Sequence, residues 1–179
     1  IGTSAEDTLG GGAGNDFLDG GGTPGIESIP GAGFDHVSYA AAGAGVRVSL
    51  AIAGPQDTRG AGTDTLRGFG NLTGSAFDDT LIGDDGQNSI NGGAGDDVVE
   101  SGAGNDILAG GTGFNTLSYA NAPAAVRLTV VNNTLSVTKS QGTDSFTNFQ
   151  AVLGSAFDDT LTGHPTAPFT LDGGSGNDT

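Results

Sequence analysis

The chain lacks cysteine, methionine and tryptophan, and it has little positive charge. Its 179 residues include only five Lys and Arg residues against 21 acidic ones, for a formal net charge of −16. Without cysteine, disulfides and thiolate metal sites are excluded. A chain this acidic is not expected to bind nucleic acid or an anionic membrane surface, and its natural complement is a cation.

Long apolar runs and helical periodicity are also missing. No apolar stretch approaches the length needed to cross a membrane, and Gly or Pro interrupts almost every segment that could form a helix. With 35 Gly and uncompensated negative charge, we expect the chain to need multivalent counter-ions to fold. The sequence starts and stops inside a repeat, at Ile1 and Thr179, so we expect it to be part of a longer protein.

What the sequence does contain is repetition with a period of nine residues. Good copies have Gly at positions one, two and four, an acid or its amide at position six, and an aliphatic residue at position eight. The best are GGAGNDFLD, GGAGDDVVE, SGAGNDILA and GGTGFNTLS, at 11–19, 92–100, 101–109 and 110–118. Glycine permits a sharp turn with carbonyls pointing inward. The pattern therefore predicts a loop followed by a short strand, with position eight in a thin interior.

A longer period of 80 residues is visible in the segments SYA, VR and GTD, each of which occurs twice at that separation. Between the nonapeptide blocks lie connectors of alternating apolar and polar residues, which predict further strands. The segment VVNNTL, at 130–135, predicts a hairpin turn at Asn132 and Asn133. The predicted organisation is three repeat blocks, at 1–38, 74–118 and 154–179, separated by connectors at 39–73 and 119–153. We expect an all-β fold with no significant helix.

The side chains at position six are the candidate metal ligands. They are Asp7, Asp16, Asp35, Asp79, Asn88, Asp97, Asp106, Asn115, Asp159 and Asp178. With the loop carbonyls they offer the oxygen ligands that Ca²⁺ accepts in flexible geometry, whereas Mg²⁺ prefers a tighter octahedron and retained water. Two carboxylates stacked ~4.8 Å apart repel by about 3 kcal/mol at an effective dielectric of ~20, and a divalent cation between them reverses the sign. The sequence therefore predicts several calcium ions.

The nonapeptide G-G-x-G-x-D-x-U-x is a known calcium-binding repeat, and nearly all of the chain resembles the repeats-in-toxin (RTX, haemolysin-type) family. The connectors are similar to those between RTX blocks of adenylate-cyclase-type toxins and related secreted proteins. The resemblance implies a right-handed parallel β-roll, or β-solenoid, with two nonapeptides per turn and calcium between the loops of successive turns. Residues 18 apart in sequence then lie one above the other.

This stacking predicts specific partners among the position-six residues. The predicted pairs are Asp79 with Asp97, Asn88 with Asp106, Asp97 with Asn115, Asp16 with Asp35, and Asp159 with Asp178. The last two pairs are 19 residues apart, which implies one inserted residue in each. The segment 20–28 has no acid at position six, and the segment 163–172 has lost the loop pattern, so neither is expected to contribute a site.

Other residues are given structural roles. Tyr39 and Tyr119, with Phe34 and Phe114, are expected to pack where a block meets its connector. The two histidines, His36 and His164, occupy unrelated repeat positions and are expected to be incidental surface residues.

The resemblance implies a calcium-responsive structural module, not an enzyme, in a protein exported by a bacterial type I secretion system. Such a chain is unfolded at low cytosolic calcium and folds at the cell surface or in the extracellular medium. Its partners are calcium, the remaining domains of the same chain, and a surface polymer or a neighbouring subunit. The alternative is a carbohydrate-binding accessory module, similar to the repeats of mannuronan epimerases, in which the outward-facing Arg47 and Arg127 touch an anionic polymer. The residues at position seven form no uniform ladder, which excludes an ice-binding face.

Overall fold

The computed structural model describes residues 6–21, 35–131, 134–163 and 169–179, and over these ranges the chain is all-β without a helix. Accordingly, no helix that could cross a membrane is found in the described part of the chain. The strands in chain order are β1 (Thr8–Gly10), β2 (Phe17–Asp19), β3 (Asp35–Ser38), β4 (Arg47–Ser49), β5 (Gln56–Arg59), β6 (Gly62–Arg67), β7 (Phe69–Thr73), β8 (Thr80–Ile82), β9 (Ser89–Asn91), β10 (Val98–Glu100), β11 (Ile107–Ala109), β12 (Thr116–Ser118), β13 (Arg127–Val131), β14 (Thr134–Lys139), β15 (Gly142–Thr147), β16 (Ala151–Leu153), β17 (Thr160–Leu161) and β18 (Thr170–Asp172).

Successive nonapeptides of the central block contribute their strands to two different sheets. A six-stranded sheet has the order β18-β16-β12-β10-β8-β4, and a nine-stranded sheet has the order β1-β3-β7-β9-β11-β15-β14-β13-β17. Strands β8, β10 and β12 are parallel neighbours in the first, while β9 and β11 are parallel neighbours in the second. Each nonapeptide therefore pairs with the next but one, as the 18-residue spacing predicts.

The interior is a single row of aliphatic side chains from position eight of the repeats. In the central block these are Leu81, Ile90, Val99, Leu108 and Leu117, all at most 1% exposed. Leu81 pairs with Val99 and Val99 with Leu117 in one sheet, while Ile90 pairs with Leu108 in the other. Because strands of only three residues present one inward side chain each, this core is one residue thick and depends on exact stacking.

The connectors form strands, as the alternating pattern predicts, and they add the antiparallel pairs of the fold. In the first connector β5 and β6 are antiparallel and join β2 in a three-stranded sheet. In the second, β13, β14 and β15 are antiparallel neighbours within the nine-stranded sheet. The pairing of β13 with β14 agrees with the predicted hairpin, although Asn132 and Asn133 themselves lie outside the described residues.

The two connectors enter different sheets although their sequences are similar. Strand β4 of the first connector pairs with β8 in the six-stranded sheet, whereas β13 of the second pairs with β17 in the nine-stranded sheet. The block between them, 74–118, contains five nonapeptides. Because nonapeptides alternate between the sheets, an odd number of them shifts the second connector by half a turn relative to the first.

Candidate calcium-binding loops

The loops before the strands are shaped by glycines that no other residue could replace. In the loop of the 92–100 repeat, Gly93 and Gly95 at positions two and four have φ of +105° and +122°. A Cβ on Gly93 would lie 2.2 Å from the carbonyl oxygen of Ser75 in the preceding turn. The backbone of one turn thus lies directly against the carbonyls of the next, which side chains at these positions would prevent.

The position-six residues form a ladder in the central block. The backbone N–H of Asp79 donates to Oδ1 of Asp97, that of Asn88 to Oδ1 of Asp106, and that of Asp97 to Oδ1 of Asn115, each at 2.9 Å. In every pair the partners are 18 residues apart. All five residues are buried. The three predicted stacking pairs of this block are therefore confirmed.

One predicted pair is wrong. Asp16 does not stack on Asp35: the backbone N–H of Asp7 donates to Oδ1 of Asp35 at 2.7 Å, and the backbone N–H of Asp16 donates to Oδ1 of Asp64 at 2.9 Å. Asp7 and Asp35 are 28 residues apart, so the first block carries ten residues beyond one 18-residue turn. The 19-residue spacing of Asp16 and Asp35 therefore did not reflect one inserted residue but coincided with a longer insertion.

Two position-six carboxylates are neutralised by hydrogen bonds from their own loop. Oδ1 of Asp79 accepts from the Ser75 hydroxyl and from the Val46 N–H, both at 2.7 Å, while Oδ2 accepts from the Ser75 N–H. Asp159 has the same three donors 80 residues later, from Ser155 and Val126. Serine at position two therefore provides a cap in the copies that follow a connector.

The last predicted pair, Asp159 with Asp178, is confirmed. The N–H of Asp159 donates to Oδ1 of Asp178 at 2.9 Å across a separation of 19 residues. One inserted residue is accommodated here because the loop that precedes β18 is not a nonapeptide loop.

Asp97 differs from the capped acids because one of its oxygens has no donor. The residue is 0% exposed, and its Oδ2 is buried without a hydrogen-bond partner. Burial, followed by the charges of Asp79, Asp78 and Asp96, raises the pKa of Asp97 to about 6 although the Asp79 N–H opposes the shift. A buried carboxylate with a free oxygen is costly unless a cation lies beside it.

The free oxygen of Asp97 lies in a space walled by glycine backbone. A Cβ on Gly92 would come within 2.3 Å of this Oδ2 and within 2.4 Å of the carbonyl oxygen of Gly110 in the next turn. A hydrogen in place of the methyl leaves the carboxylate oxygen and the carbonyl facing a common gap. Asp16 in the first block also has a buried Oδ2 without a partner. These two residues have the oxygen chemistry that Ca²⁺ requires.

The two asparagines at position six are satisfied within the protein. Asn88 accepts the Asp84 N–H with Oδ1 and donates to Oδ1 of Asp84 through its amide. Asn115 donates to the carbonyl of Asn148 at 3.1 Å. An amide in these places supplies a neutral oxygen and lowers the charge that an adjacent cation would meet.

Two buried acids of the connectors belong to the same ladder, and the sequence analysis did not identify them. Asp64 accepts from the N–H of Asp16, and Asp144 accepts from the N–H of Asp106 at 3.1 Å, so each continues a stack of position-six residues. Both are 0% exposed. The signal was the repeated GTD segment, which served only to measure the long period.

The buried tyrosines at the start of the connectors hold these two acids. The hydroxyl of Tyr39 donates to Oδ2 of Asp64, and that of Tyr119 donates to Oδ2 of Asp144, both at 2.8 Å. Burial, then the hydrogen bond and charge of Asp64, raises the pKa of Tyr39, and burial and Asp144 do the same for Tyr119. The expectation that these tyrosines pack where a block meets its connector is confirmed.

The remaining aromatic and histidine expectations have mixed outcomes. Phe114 is 52% exposed and does not pack against the connector, so that expectation is wrong. His36 contacts the Thr73 hydroxyl at 2.8 Å and is partly buried, and desolvation lowers its pKa. Phe34 and His164 lie outside the described residues.

One position-six carboxylate carries a cation from within the protein. Oδ2 of Asp106 lies 2.8 Å from Nζ of Lys139, which also contacts Asp144 at 2.8 Å. Burial raises the pKa of Asp106 to about 6, against the opposing hydrogen bond from Lys139. Nothing in the repeat pattern predicted this contact.

No group of three or more Asp, Glu, His or Cys side chains converges on one point within the described ranges. An ion in these loops must therefore take most of its ligands from backbone carbonyls, which the glycines bring into reach. Stacked loops with inward carbonyls and paired acids define the class of calcium-binding repeat modules.

Comparison with known families identifies the repeat. The family model of the RTX calcium-binding nonapeptide repeat matches four times, at 1–23, 73–108, 83–117 and 170–179. The chain belongs to the RTX repeat proteins, whose nonapeptides are structural and bind Ca²⁺. No curated protein matches the chain.

Proposed function

We propose that this chain is a parallel β-roll in which Ca²⁺ ions between loops of successive turns supply much of the folding free energy. The observation that carries the proposal is the buried Oδ2 of Asp97, which lacks a donor and faces the Gly110 carbonyl. Binding to the folded state alone shifts the folding equilibrium, and millimolar calcium acts on a chain whose charge is −16.

The proposed ligands are the position-six residues, with differing contributions. Asp97 and Asp16 each offer a free buried oxygen. Asp79 and Asp159 offer oxygens that already accept hydrogen bonds, so they contribute mainly charge. The other members of the proposed set are Asp7, Asp35, Asn88, Asp106, Asn115 and Asp178. The three blocks and two connectors predicted from the sequence remain the proposed units of this folding.

We further propose that the module is a structural part of a secreted or cell-surface protein exported by a type I system, with catalysis in other domains. An acidic, glycine-rich chain without disulfides remains unfolded and can be threaded at low calcium, and it folds outside. The paired acids do not resemble a catalytic dyad, because each accepts backbone N–H groups from a neighbouring turn.

The carbohydrate-binding alternative has less support. Arg47 and Arg127 are both exposed, but they lie on β4 and β13 in different sheets, so they form no common basic stripe. A polymer contacting one of them would not contact the other along the same face.

Circular dichroism during calcium titration tests the proposal. The chain should be largely disordered in chelator and gain β-structure at millimolar calcium, and equal magnesium should do markedly less because Mg²⁺ resists irregular carbonyl sites. A β-signal that is the same in chelator and in calcium would refute the folding role.

A further inference from the structure

Lys139 lies inside the protein at the end of β14, with its ammonium group surrounded by oxygen atoms. The residue is 8% exposed, and Nζ contacts the Ser101 hydroxyl at 2.9 Å, the Gly102 carbonyl at 2.8 Å and Oδ2 of Asp106 at 2.8 Å. Both carboxylate oxygens of Asp144 are also 2.8 Å away. The surroundings combine a loop hydroxyl, a loop carbonyl and two stacked acids.

This arrangement has more oxygens than an ammonium group can use. Nζ has three N–H donors, whereas five oxygen atoms lie within 2.9 Å. An ordinary buried lysine is matched donor to acceptor, while an oxygen-rich shell drawn from loop backbone and carboxylates is typical of a Ca²⁺ site with six to eight ligands at about 2.3–2.6 Å. The cation has therefore been supplied by a side chain within a shell of the metal-binding kind.

The first long unit has the same shell without the lysine. There Asp16 and Asp64 correspond to Asp106 and Asp144, since each pair joins a loop acid to a connector acid through one N–H to Oδ1 hydrogen bond. The residue 80 positions before Lys139 is Arg59, which is exposed and has φ of +58°. No cation contacts Asp16, and its Oδ2 is buried without a partner.

We propose that the Lys139 ammonium takes the place of one calcium ion, so that the turn joining Asp106 to Asp144 is held without metal while its counterpart at Asp16 and Asp64 requires Ca²⁺. This inference rests on the proposed calcium binding between loops. It makes the second connector a fixed point of the stack, because a tethered cation is present at any calcium concentration.

The number of calcium ions bound per chain, measured at saturation by native mass spectrometry, tests the exchange. Asp64→Asn should bind one ion fewer than wild type, whereas the matched Asp144→Asn should bind the same number as wild type. Lys139→Met should bind one ion more, because two carboxylates and the loop oxygens become available. The double variant Lys139→Met with Asp144→Asn should return to the wild-type number, and Arg59→Met should leave it unchanged.

Loss of an ion in Asp144→Asn, or a Lys139→Met chain that folds in calcium with the wild-type number of ions, would overturn the inference. If Lys139→Met does not fold, the comparison of Asp64→Asn with Asp144→Asn still decides, because neither removes the lysine. Failure of the proposed function is distinct, since wild type itself would then bind no calcium.

Discussion

The backbone N–H of Asp79 donates to Oδ1 of Asp97, and the N–H of Asp97 donates in turn to Oδ1 of Asn115. Asp97 is thus the middle member of a stack of three turns, and it alone of the three leaves a buried carboxylate oxygen without a donor. A single side chain therefore contributes to the gaps above and below its own loop.

Asp97→Asn should weaken calcium binding in both gaps. Contacts to a charged group contribute about 1.5–3 kcal/mol, so the calcium concentration at the folding midpoint should rise roughly tenfold or more. The measurement is a calcium titration followed by circular dichroism. Asp85→Asn is the control, because Asp85 is exposed, and it should titrate within a factor of about two of wild type. If the control shifts as far as Asp97→Asn, the loss of charge alone explains the effect.

Gly93→Ala should destabilise the calcium-loaded protein by about 2 kcal/mol or more. The residue has φ of +105°, where an L side chain is strained by about 1–3 kcal/mol, and the new methyl would press on the Ser75 carbonyl. Urea unfolding at fixed calcium provides the measurement. Gly54→Ala is the matched control, since a Cβ there meets nothing within 4 Å. Equal losses at the two positions would exclude loop geometry as the cause.

The sequence predicts the central block well because its repeats are uninterrupted. The 18-residue stacking of Asp79 and Asp97 depends only on regular nonapeptides, and the sheet pairing has that register. The partner of Asp16 was mispredicted because the first block contains an insertion whose length the local pattern does not reveal. A spacing near 18 is informative only where intact repeats fill the interval.

Residues outside the nonapeptides gave no comparable signal. Asp64 and Asp144 belong to strands of the connectors, where a polar residue in an alternating pattern is expected to face solvent. Lys139 is the only lysine in the chain, and a lone basic residue at a strand end is normally exposed. Their roles arise from the tertiary approach of connector to loop, which a short-range pattern does not contain.

Tyr119→Phe should lower the free energy of unfolding by about 1–3 kcal/mol, because Oδ2 of buried Asp144 loses the phenol as a donor. Tyr39→Phe should cost less, since the Thr58 hydroxyl also donates to the equivalent Asp64 at 3.2 Å. Urea unfolding at one calcium concentration compares the two. Phe114→Leu, at an exposed position, should stay within about 0.5 kcal/mol of wild type. A Tyr119→Phe variant as stable as wild type would contradict the structural role of the hydroxyl.

The number of nonapeptides between the connectors should decide on which side each connector lies. Deleting 92–100 leaves four repeats in the central block, so the second connector should join the six-stranded sheet, as the first does. Deleting 92–109 removes a whole turn and should leave the connectors in different sheets. Because the chain has no cysteine, spin labels at Asp57→Cys and Ser140→Cys report the separation of the two hairpins directly.

Electron-electron distance measurements distinguish the two deletions. The whole-turn deletion should shorten the distance by no more than one rung, about 4.8 Å, because it changes only the height of the stack. The single-repeat deletion should change the distance by clearly more, since it moves one hairpin to the opposite face while removing only half a turn. If both deletions merely shorten the distance in proportion to the residues removed, the connectors do not follow the alternation of the repeats, and the half-turn relation between the two long units is wrong.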